Sequence, residues 1–273
     1  MHEGHAASHL TVPDIIAPRP PSSLNAAIVQ LDRVRRQFGS RASLASLCDR
    51  VAKRLMHFQV DHVLCFDVDR LPEPPPADTG LEFRFLTPDE IRTFAADPAN
   101  QLDQSMADRA AARYDQCLGV LAGDRLAGYG WCAFDSIEPE HGGGVAMSWP
   151  RHVAYMYNGF TRPEFRGRRL NGLRVLWAAK ELAARGIQKL VALVEWTNWA
   201  SLRSSLDAGG TSLGRLVTFG IGRRRWSYFP KAAQEMGIQF GPHARPRSHD
   251  QELPVAASEE LAVAPAEALA RFS

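Results

Sequence analysis

The chain has 273 residues, of which 45% are hydrophobic and 23% are charged, so it can fill a core and is not wholly disordered. At about 100–200 residues per domain, this length allows one large domain or one domain with a smaller appendage. The net charge of +2 gives no ground for expecting a membrane or nucleic-acid partner. The chain has no apolar run of about 18 residues and no signal-peptide core, and its four cysteines lack CxxC spacing. We therefore expect a cytoplasmic protein without disulfides or bound metal.

The N-terminal part is predicted to hold a tail and then two helices. Residues 1–21 contain three His and four Pro and are interpreted as a disordered tail. Residues 22–70 are predicted to be a helical extension with a short strand at 63–66. The apolar stripe of its second helix consists of Leu44, Leu47, Cys48, Val51 and Leu55. Because a helix pair cannot bury such stripes alone, the extension should dock on the main domain or on a partner chain. Residues 71–80, LPEPPPADTG, are interpreted as a linker.

Residues 81–229 are predicted to form the main domain, and 230–273 a mostly disordered tail. Thr87 to Glu90 form a capping box, and Gly123-Asp124 predicts a hairpin turn. The later elements are predicted as a strand at 152–160, a helix at 168–185, a strand at 189–195, a helix at 198–208, and strands at 213–220 and 224–229. In the first of these strands, Val153, Tyr155 and Tyr157 are expected to point outward. Strand–helix–strand units alternate with hairpins, which predicts an α+β or α/β fold with a mixed sheet flanked by helices.

The segment from 158 to 186 combines the end of a strand, an Arg-Gly-rich turn and a long helix. The first turn of a helix offers unpaired N–H groups and the positive end of the dipole, which suit an anion. Gly167 lets the backbone approach a phosphate closely, and three arginines add bidentate donors. Residues 151–186 carry eight basic and two acidic side chains. The segment therefore predicts a phosphate-binding turn.

The turn sequence PEFRGRRLNGL resembles the acyl-CoA pyrophosphate loop of the GNAT acyltransferase superfamily, whose pattern is R-x-x-G-x-G/A. Arg166 matches the first position, whereas the two glycine positions fall on Arg169 and Asn171. Gly167 and Gly172 remain nearby. Because such loops bind mainly through backbone N–H groups, Arg169 can still serve if its φ is helical.

A second stretch, VEWTNWASLRSSLDAGG, is similar to the strand and helix of that superfamily that end in N-x-x-x-x-x-x-Y-x-x-A-G-F. Asn198 and Ala208-Gly209 match, the Tyr position falls on Ser205, and the final Phe position falls on Gly210. Both segments lie in the expected order, and the resemblance covers residues 81–229. It implies a GNAT-like domain that carries the N-terminal helical extension.

The resemblance implies two parallel strands that splay apart, with the pantetheine arm of acetyl-CoA or another acyl-CoA between 152–160 and 189–195. It places the cofactor-binding residues at Phe160, Thr161, Arg166, Gly167, Arg168, Arg169, Leu170, Asn171, Gly172 and Asn198. The implied enzyme is an acyl-CoA-dependent N-acyltransferase, with acetyl as the expected acyl group. The primary amine of a small-molecule or peptide acceptor would attack the thioester directly in a ternary complex.

Glu195 is favoured as the base, kept ionised by the Arg-rich turn and acting through a water. Asp135, Glu138 and His152 are the weaker alternatives. Ser205 stands where the superfamily often has a proton-donating Tyr, and Tyr157 or Tyr155 is a substitute. Trp196 and Trp199 are candidates either for the lining of a substrate pocket or for core packing. Arg223, Arg224 and Arg225 form either an exposed turn or a basic patch that binds an acidic substrate or the 3′-phosphate of CoA.

Two other functions stay open. A non-catalytic acyl-CoA-binding or regulatory module fits the missing Tyr and the two missing loop glycines. An RNA-associated or aminoacyl-tRNA-dependent transferase is suggested by the arginine runs, although the low net charge and the acidic C-terminal tail argue against nucleic acid. A homodimer is a candidate assembly.

Overall fold

The computed structural model describes residues 24–75, 80–112, 115–139, 144–221 and 224–241. The predicted N-terminal tail, residues 242–273, the middle of the linker, Arg223 and the side chains of Arg224 and Arg225 lie outside this description. For residues 230–241 the prediction of a mostly disordered tail is wrong, because they form a helix and a strand that bury Ala233, Ile238 and Phe240 in the core. None of the described helices is long and apolar enough to cross a membrane. Within these residues, no group of three His, Cys, Asp or Glu is placed to hold a metal ion.

Seven helices and eleven strands make up the described fold. The helices are α1 (Leu24–Phe38), α2 (Ser40–Leu55), α3 (Pro88–Ala95), α4 (Gln104–Ala112), α5 (Leu170–Ala183), α6 (Trp199–Asp207) and α7 (Lys231–Glu235). The strands are β1 (His57–Asp67), β2 (Glu82–Phe85), β3 (Gln116–Ala122), β4 (Arg125–Ala133), β5 (Ser136–Ile137), β6 (Met147–Ser148), β7 (Val153–Thr161), β8 (Lys189–Glu195), β9 (Thr211–Ile221), β10 (Arg224–Tyr228) and β11 (Gln239–Phe240). Eight strands form one sheet in the order β10-β9-β1-β8-β7-β4-β3-β2, and β11-β6-β5 form a second.

The large sheet is mixed, as predicted. Strands β7 and β8 run parallel, whereas the other described neighbours in this sheet pair antiparallel. The local signals also hold. Thr87 and Glu90 make the predicted capping box at α3, and Gly123 turns the β3–β4 hairpin with a φ of 59°. The fold class predicted from the sequence, a mixed sheet flanked by helices, is confirmed.

Strand β1 is the main departure from the predicted N-terminal extension. It has 11 residues and lies inside the large sheet, paired with β8 on one side and β9 on the other. The residues predicted as a short strand, 63–66, are at most 5% exposed. An apolar run of this kind needs strand neighbours on both edges and cover on both faces. Residues 22–70 are therefore not a purely helical extension docked on the main domain, because they supply one of its inner strands.

Helix α2 turns the opposite way from the prediction. Its apolar residues point to solvent, and Leu44 and Leu55 are 61% and 74% exposed. The buried side carries Ala42, Ser46 and Asp49 instead. Asp49 is buried because it finds partners there, as described below. The stripe of α2 therefore does not dock on the main domain, and its docking on a partner chain stays a prediction.

Strand β7 is covered on both faces, so its tyrosines do not point outward as expected. Tyr155 and Tyr157 are buried in a cluster with Trp131 and Trp149, on the side that we call the tyrosine face. Ala154 belongs to a second cluster, which packs between the sheet and α5 on the side that we call the α5 face. The predicted alternation of side chains between the two faces of β7 is correct, but the assumption that one face is exposed to solvent is wrong.

Candidate active site

The parallel strands β7 and β8 separate at their C-terminal ends. Their pairing runs from Val153 opposite Lys189 to Met156 opposite Ala192 and then stops. Two residues later, Asn158 has a φ of 47°, and the register with β4 shifts. An extra residue of this kind bends a strand away from its neighbour. The splayed strands that the resemblance implied are therefore present.

A slot of about 160 Å³ lies between the separated strands. Five of the residues predicted for the site line it, namely Tyr157, Asn171, Glu195, Asn198 and Ser205. Side chains alternate between the two faces of a strand, and the lining includes Leu193 from the tyrosine face and Val194 from the α5 face. The slot therefore reaches residues on both faces of the sheet.

The predicted phosphate-binding turn leads directly into α5. Gly167 has a φ of 82°, and no atom lies within 4 Å of the position that a Cβ would occupy there. Arg169 precedes the helix with φ 58° and ψ 22° and makes no capping hydrogen bond through its side chain. The condition of a helical φ at Arg169 is not met, because this residue adopts the left-handed conformation that glycine would take at little cost. The first-turn N–H groups are left without a side-chain cap.

The arginines of the turn are spread over its surface. Arg166 Nε donates to the carbonyl oxygen of Thr161 at 3.2 Å. The guanidinium of Arg168 lies 5.4 Å from the centre of the Phe165 ring, a cation–π distance. A Cβ at Gly172 would lie 3.4 Å from Ala208 Cβ, so the close helix packing falls on Gly172 and not on Asn171.

Arg174 is a buried residue of the site that the sequence analysis missed. Its guanidinium donates to Tyr129 O at 2.6 Å, to Asn171 Oδ1 at 2.6 Å and to Phe160 O at 3.3 Å. None of the described carboxylates forms a salt bridge with it, and burial lowers the pKa of Arg174. A Cβ at Gly130 would lie 2.6 Å from Arg174 Nε, so glycine is needed to admit the side chain. The only signal in the sequence was an arginine within an otherwise apolar helix face.

Helix α6 contributes a cap and an unused hydroxyl. Asn198 Oδ1 accepts from Ser201 N at 3.2 Å and so caps the helix while lining the slot. Ser205 is 3% exposed, and no described residue hydrogen-bonds its hydroxyl group. Its side chain lines the slot. Ser205 is therefore available to a group in the slot.

Glu195 ends β8 and faces a lysine from the N-terminal helices. Lys53 Nζ of α2 donates to Glu195 Oε1 and lies 3.0 Å from Asp49 Oδ2. Trp196 Nε1 donates to Asp49 Oδ1 at 2.8 Å, which holds α2 against the sheet. Burial lowers the pKa of Lys53, but hydrogen bonds to the two carboxylates give a net rise. The cation beside Glu195 is thus Lys53, and not the Arg-rich turn as expected.

Asp61 is an acidic residue beside Glu195 that the sequence analysis missed. It lies opposite Glu195 in the β1–β8 pair and is only 4% exposed. Burial raises the pKa of Asp61 to about 6, against a lowering by the hydrogen bond from Gln59 Nε2 at 2.9 Å. Nothing in the sequence marks this residue, because its burial depends on strands that are far away along the chain.

The tyrosines that were predicted as proton donors lie on the tyrosine face. Tyr157 donates its hydroxyl hydrogen to Asp115 Oδ2 at 2.6 Å, and its ring stacks on that of Tyr155 at 6.0 Å. Burial raises the pKa of Tyr155 well above its ordinary value. Tyr157 lines the slot with its proton already engaged, which makes it a poorer donor than expected.

The remaining candidates lie away from the slot or have a packing role. His152 precedes β7, at the end opposite the splay, and Asp135 and Glu138 follow β4; none of the three lines the slot. Trp199 Nε1 is buried without a hydrogen-bond partner among the described residues. These residues are not gathered with Glu195.

No family model matches the chain, and no curated protein matches it. Several solved structures are similar to it. A GNAT-family acetyltransferase from Colwellia psychrerythraea is 16% identical, over 74% of this chain and 75% of that one, with a TM-score of 0.44. GCN5-related N-acetyltransferases from Sphaerobacter thermophilus and Kribbella flavida are 16% and 12% identical, with TM-scores of 0.43 and 0.42. The match with the Sphaerobacter protein covers 70% of this chain and 57% of that one, and the match with the Kribbella protein covers 64% and 63%.

The chain spans less than two thirds of the length of most of these structures. The GNAT-like fold predicted from the sequence is confirmed by features of the chain itself: the parallel pair that splays, the turn after β7 and the long helix that follows it.

Proposed function

We propose that the protein is an acyl-CoA-dependent N-acyltransferase. The observation that carries this proposal is the slot between β7 and β8, which has opposite charges at its two sides. On the α5 face lie the arginine-rich turn, the helix N-terminus and the buried Arg174. On the tyrosine face lie Glu195 and Asp61. An anionic acyl donor and a cationic amine are the pair of substrates that such a division suits.

The turn from Arg166 to Gly172 would bind the pyrophosphate of the donor through helix N–H groups and guanidinium groups. The pantetheine arm would follow β7 from Phe160 and Thr161 into the slot. Asn171, Arg174 and Asn198 offer polar atoms along this path. The open backbone at Gly167 fits a bound phosphate, since a side chain would otherwise occupy that space.

The amine would approach the thioester from the side of Glu195. The carboxylate of Glu195 takes a proton from the amine, directly or through a water. The C–N bond forms, the C–S bond breaks, and the thiolate leaves with the electron pair. Ser205 offers a hydrogen bond to this sulfur but is a poor acid, so the thiolate would take its proton from water.

The donor site is tested by the double change Arg166→Glu and Arg168→Glu. Each reversed charge beside a pyrophosphate should cost on the order of 1 kcal/mol, so CoA affinity measured by calorimetry should fall about tenfold or more. Arg36→Glu with Arg70→Glu is the matched control, since both arginines are exposed on other elements. Equal CoA affinity in both folded double variants would remove the turn from the site.

Turnover is tested with acetyl-CoA and a panel of primary amines. Release of CoA that requires an amine supports the enzyme. A second candidate, an acyl-CoA-binding module without catalysis, is favoured by Ser205 at the proton-donor position and by the pairing of Glu195 with Lys53. Tight CoA binding without turnover of any amine would select that candidate.

A further inference from the structure

Lys53 places an amine of the protein itself on the side of the slot that holds Glu195 and Asp61, where the acceptor amine is proposed to approach and which we call the acceptor side. Its Nζ donates to Glu195 Oε1, and Glu195 lines the slot. The second contact, to Asp49 Oδ2 at 3.0 Å, holds the side chain in this direction. Lys53 is 38% exposed, so its Nζ is held by two carboxylates without being sealed from solvent. A primary amine therefore rests on the carboxylate proposed as the base.

The other lysines have different surroundings. The chain has four lysines, and the structure describes all of them. Lys180 lies 5.2 Å from the centre of the Trp177 ring. Lys189 Nζ lies 3.3 Å from Asp67 Oδ2 at the start of β8, the end away from the splay. Lys231 pairs with Glu235 on α7 and is 87% exposed. Of the four, Lys53 contacts a residue of the slot.

We propose that Lys53 is an internal acyl acceptor, so that the protein acylates its own Lys53 when acyl-CoA is bound; this rests on the proposed function. Glu195 takes a proton from the ammonium group, and the neutral Nζ attacks the thioester carbonyl carbon. The N–C bond forms, the nitrogen releases its second proton to water, and the C–S bond breaks with the electron pair leaving on sulfur. CoA leaves as a thiolate, which takes a proton from water, and Glu195 returns its proton to solvent. The product is a neutral amide on Lys53.

Acylation would change the charge of the acceptor side. The amide no longer pairs with Glu195 or Asp49, and Asp61 lies beside Glu195 across the strand pair. Three carboxylates would then share the site without the lysine cation. Carboxylates held close together repel one another, and a cation from solution relieves this repulsion. The acylated protein should therefore bind a cationic amine more tightly than the unmodified protein does.

The experiment incubates the full chain with acetyl-CoA in the absence of any amine and maps acetyl-lysine by peptide mass spectrometry. The expected result is one acetyl group on Lys53, with Lys180, Lys189 and Lys231 modified at least tenfold less. The Lys53→Arg variant should lose this product, whereas the matched Lys180→Arg variant should keep it. Modification led by Lys231, which is 87% exposed, would mean unassisted reaction with acetyl-CoA and would overturn the proposal.

Two measurements separate this inference from the proposed function. The first-order rate constant of Lys53 acetylation at saturating acetyl-CoA should not change with protein concentration, because the reaction occurs within one chain; a rate constant that rises in proportion to protein concentration would overturn the internal reaction. Turnover of an external amine with no label on Lys53 would reject the inference and leave the acyltransferase standing. Failure of the folded chain to bind CoA in calorimetry would reject both.

Discussion

The two sides of the slot are built in different ways. The side proposed to bind the acyl donor, which we call the donor side, comes mainly from one continuous segment, in which β7 ends, the turn follows and α5 begins. The acceptor side is assembled from α2, β1 and the end of β8, and the Lys53–Glu195 and Asp61–Glu195 contacts join residues far apart along the chain. A site formed by a local motif can be predicted from the sequence, whereas a site formed by contacts between distant residues is identified only from the structure.

The largest effect is expected when the residues before Leu81, which contribute α2 and β1 to the acceptor side, are removed. A chain that starts at Leu81 lacks β1, which is paired on both edges inside the large sheet. It should fail to fold, because β8 and β9 lose their common neighbour and buried apolar surface becomes exposed. Circular dichroism and thermal unfolding would check this. A shortened chain as soluble and as stable as the full one would show that the donor side is an independent unit.

The acceptor side is tested next by Glu195→Gln, which keeps the shape of the side chain and removes its charge. Turnover should fall by about 10²-fold, the usual scale for losing a general base, while CoA affinity stays unchanged. Steady-state kinetics and calorimetry measure the two quantities separately. Ser205→Ala should lower turnover less, because the thiolate leaves tolerably without a donor. A larger effect for Ser205→Ala would reverse the two roles.

Asp61→Asn tests the buried charge of the acceptor side through its pH dependence. The carboxyl pKa is about 6 in the folded chain, above the ordinary value, so the folded state binds the proton more tightly and stability falls as pH rises through that value. Asn removes this loss. The variant should gain on the order of 2 kcal/mol in free energy of unfolding near pH 7 and nothing near pH 4.

Urea unfolding of both proteins at the two pH values measures this gain. Asp207→Asn is the matched control, because Asp207 is 66% exposed and should show no such pH-dependent difference. The same gain at both pH values would mean that packing, and not charge, is responsible.

The smallest expected effect concerns the donor side. Arg169 has a left-handed backbone, which costs an L-residue about 1–2 kcal/mol, while glycine loses part of that advantage through the entropy of the unfolded chain. Arg169→Gly should therefore stabilise the protein by up to about 1 kcal/mol. Arg168→Gly, which has no positive φ to relieve, is the control and should not stabilise. Equal changes in the two thermal unfolding curves would contradict the assignment of strain to Arg169.

Local signals predicted much of the fold and the positions of several residues on the proposed donor side. The bounds of β8 were predicted as Lys189–Glu195, the turn after β7 was identified, and Asn198 and Ser205 were placed in the slot. The contacts of Arg174, Lys53 and Asp61 were missed, since each depends on an element remote in sequence. The orientation of α2 was also missed, because an apolar stripe usually faces inward and here a buried Asp49 is stabilised by Lys53 and Trp196.

The place of β1 in the sheet also sets the order in which the protein can assemble during its synthesis. This strand leaves the ribosome before any of its partners, and His57 pairs with Gly220 while Asp61 pairs with Glu195. Strands β2, β3, β4 and β7 follow one another closely and can pair while translation continues. Pairings between distant residues form slowly and leave apolar strand edges open in the meantime. The newly made chain should therefore depend on protection of β1 until β9 has emerged.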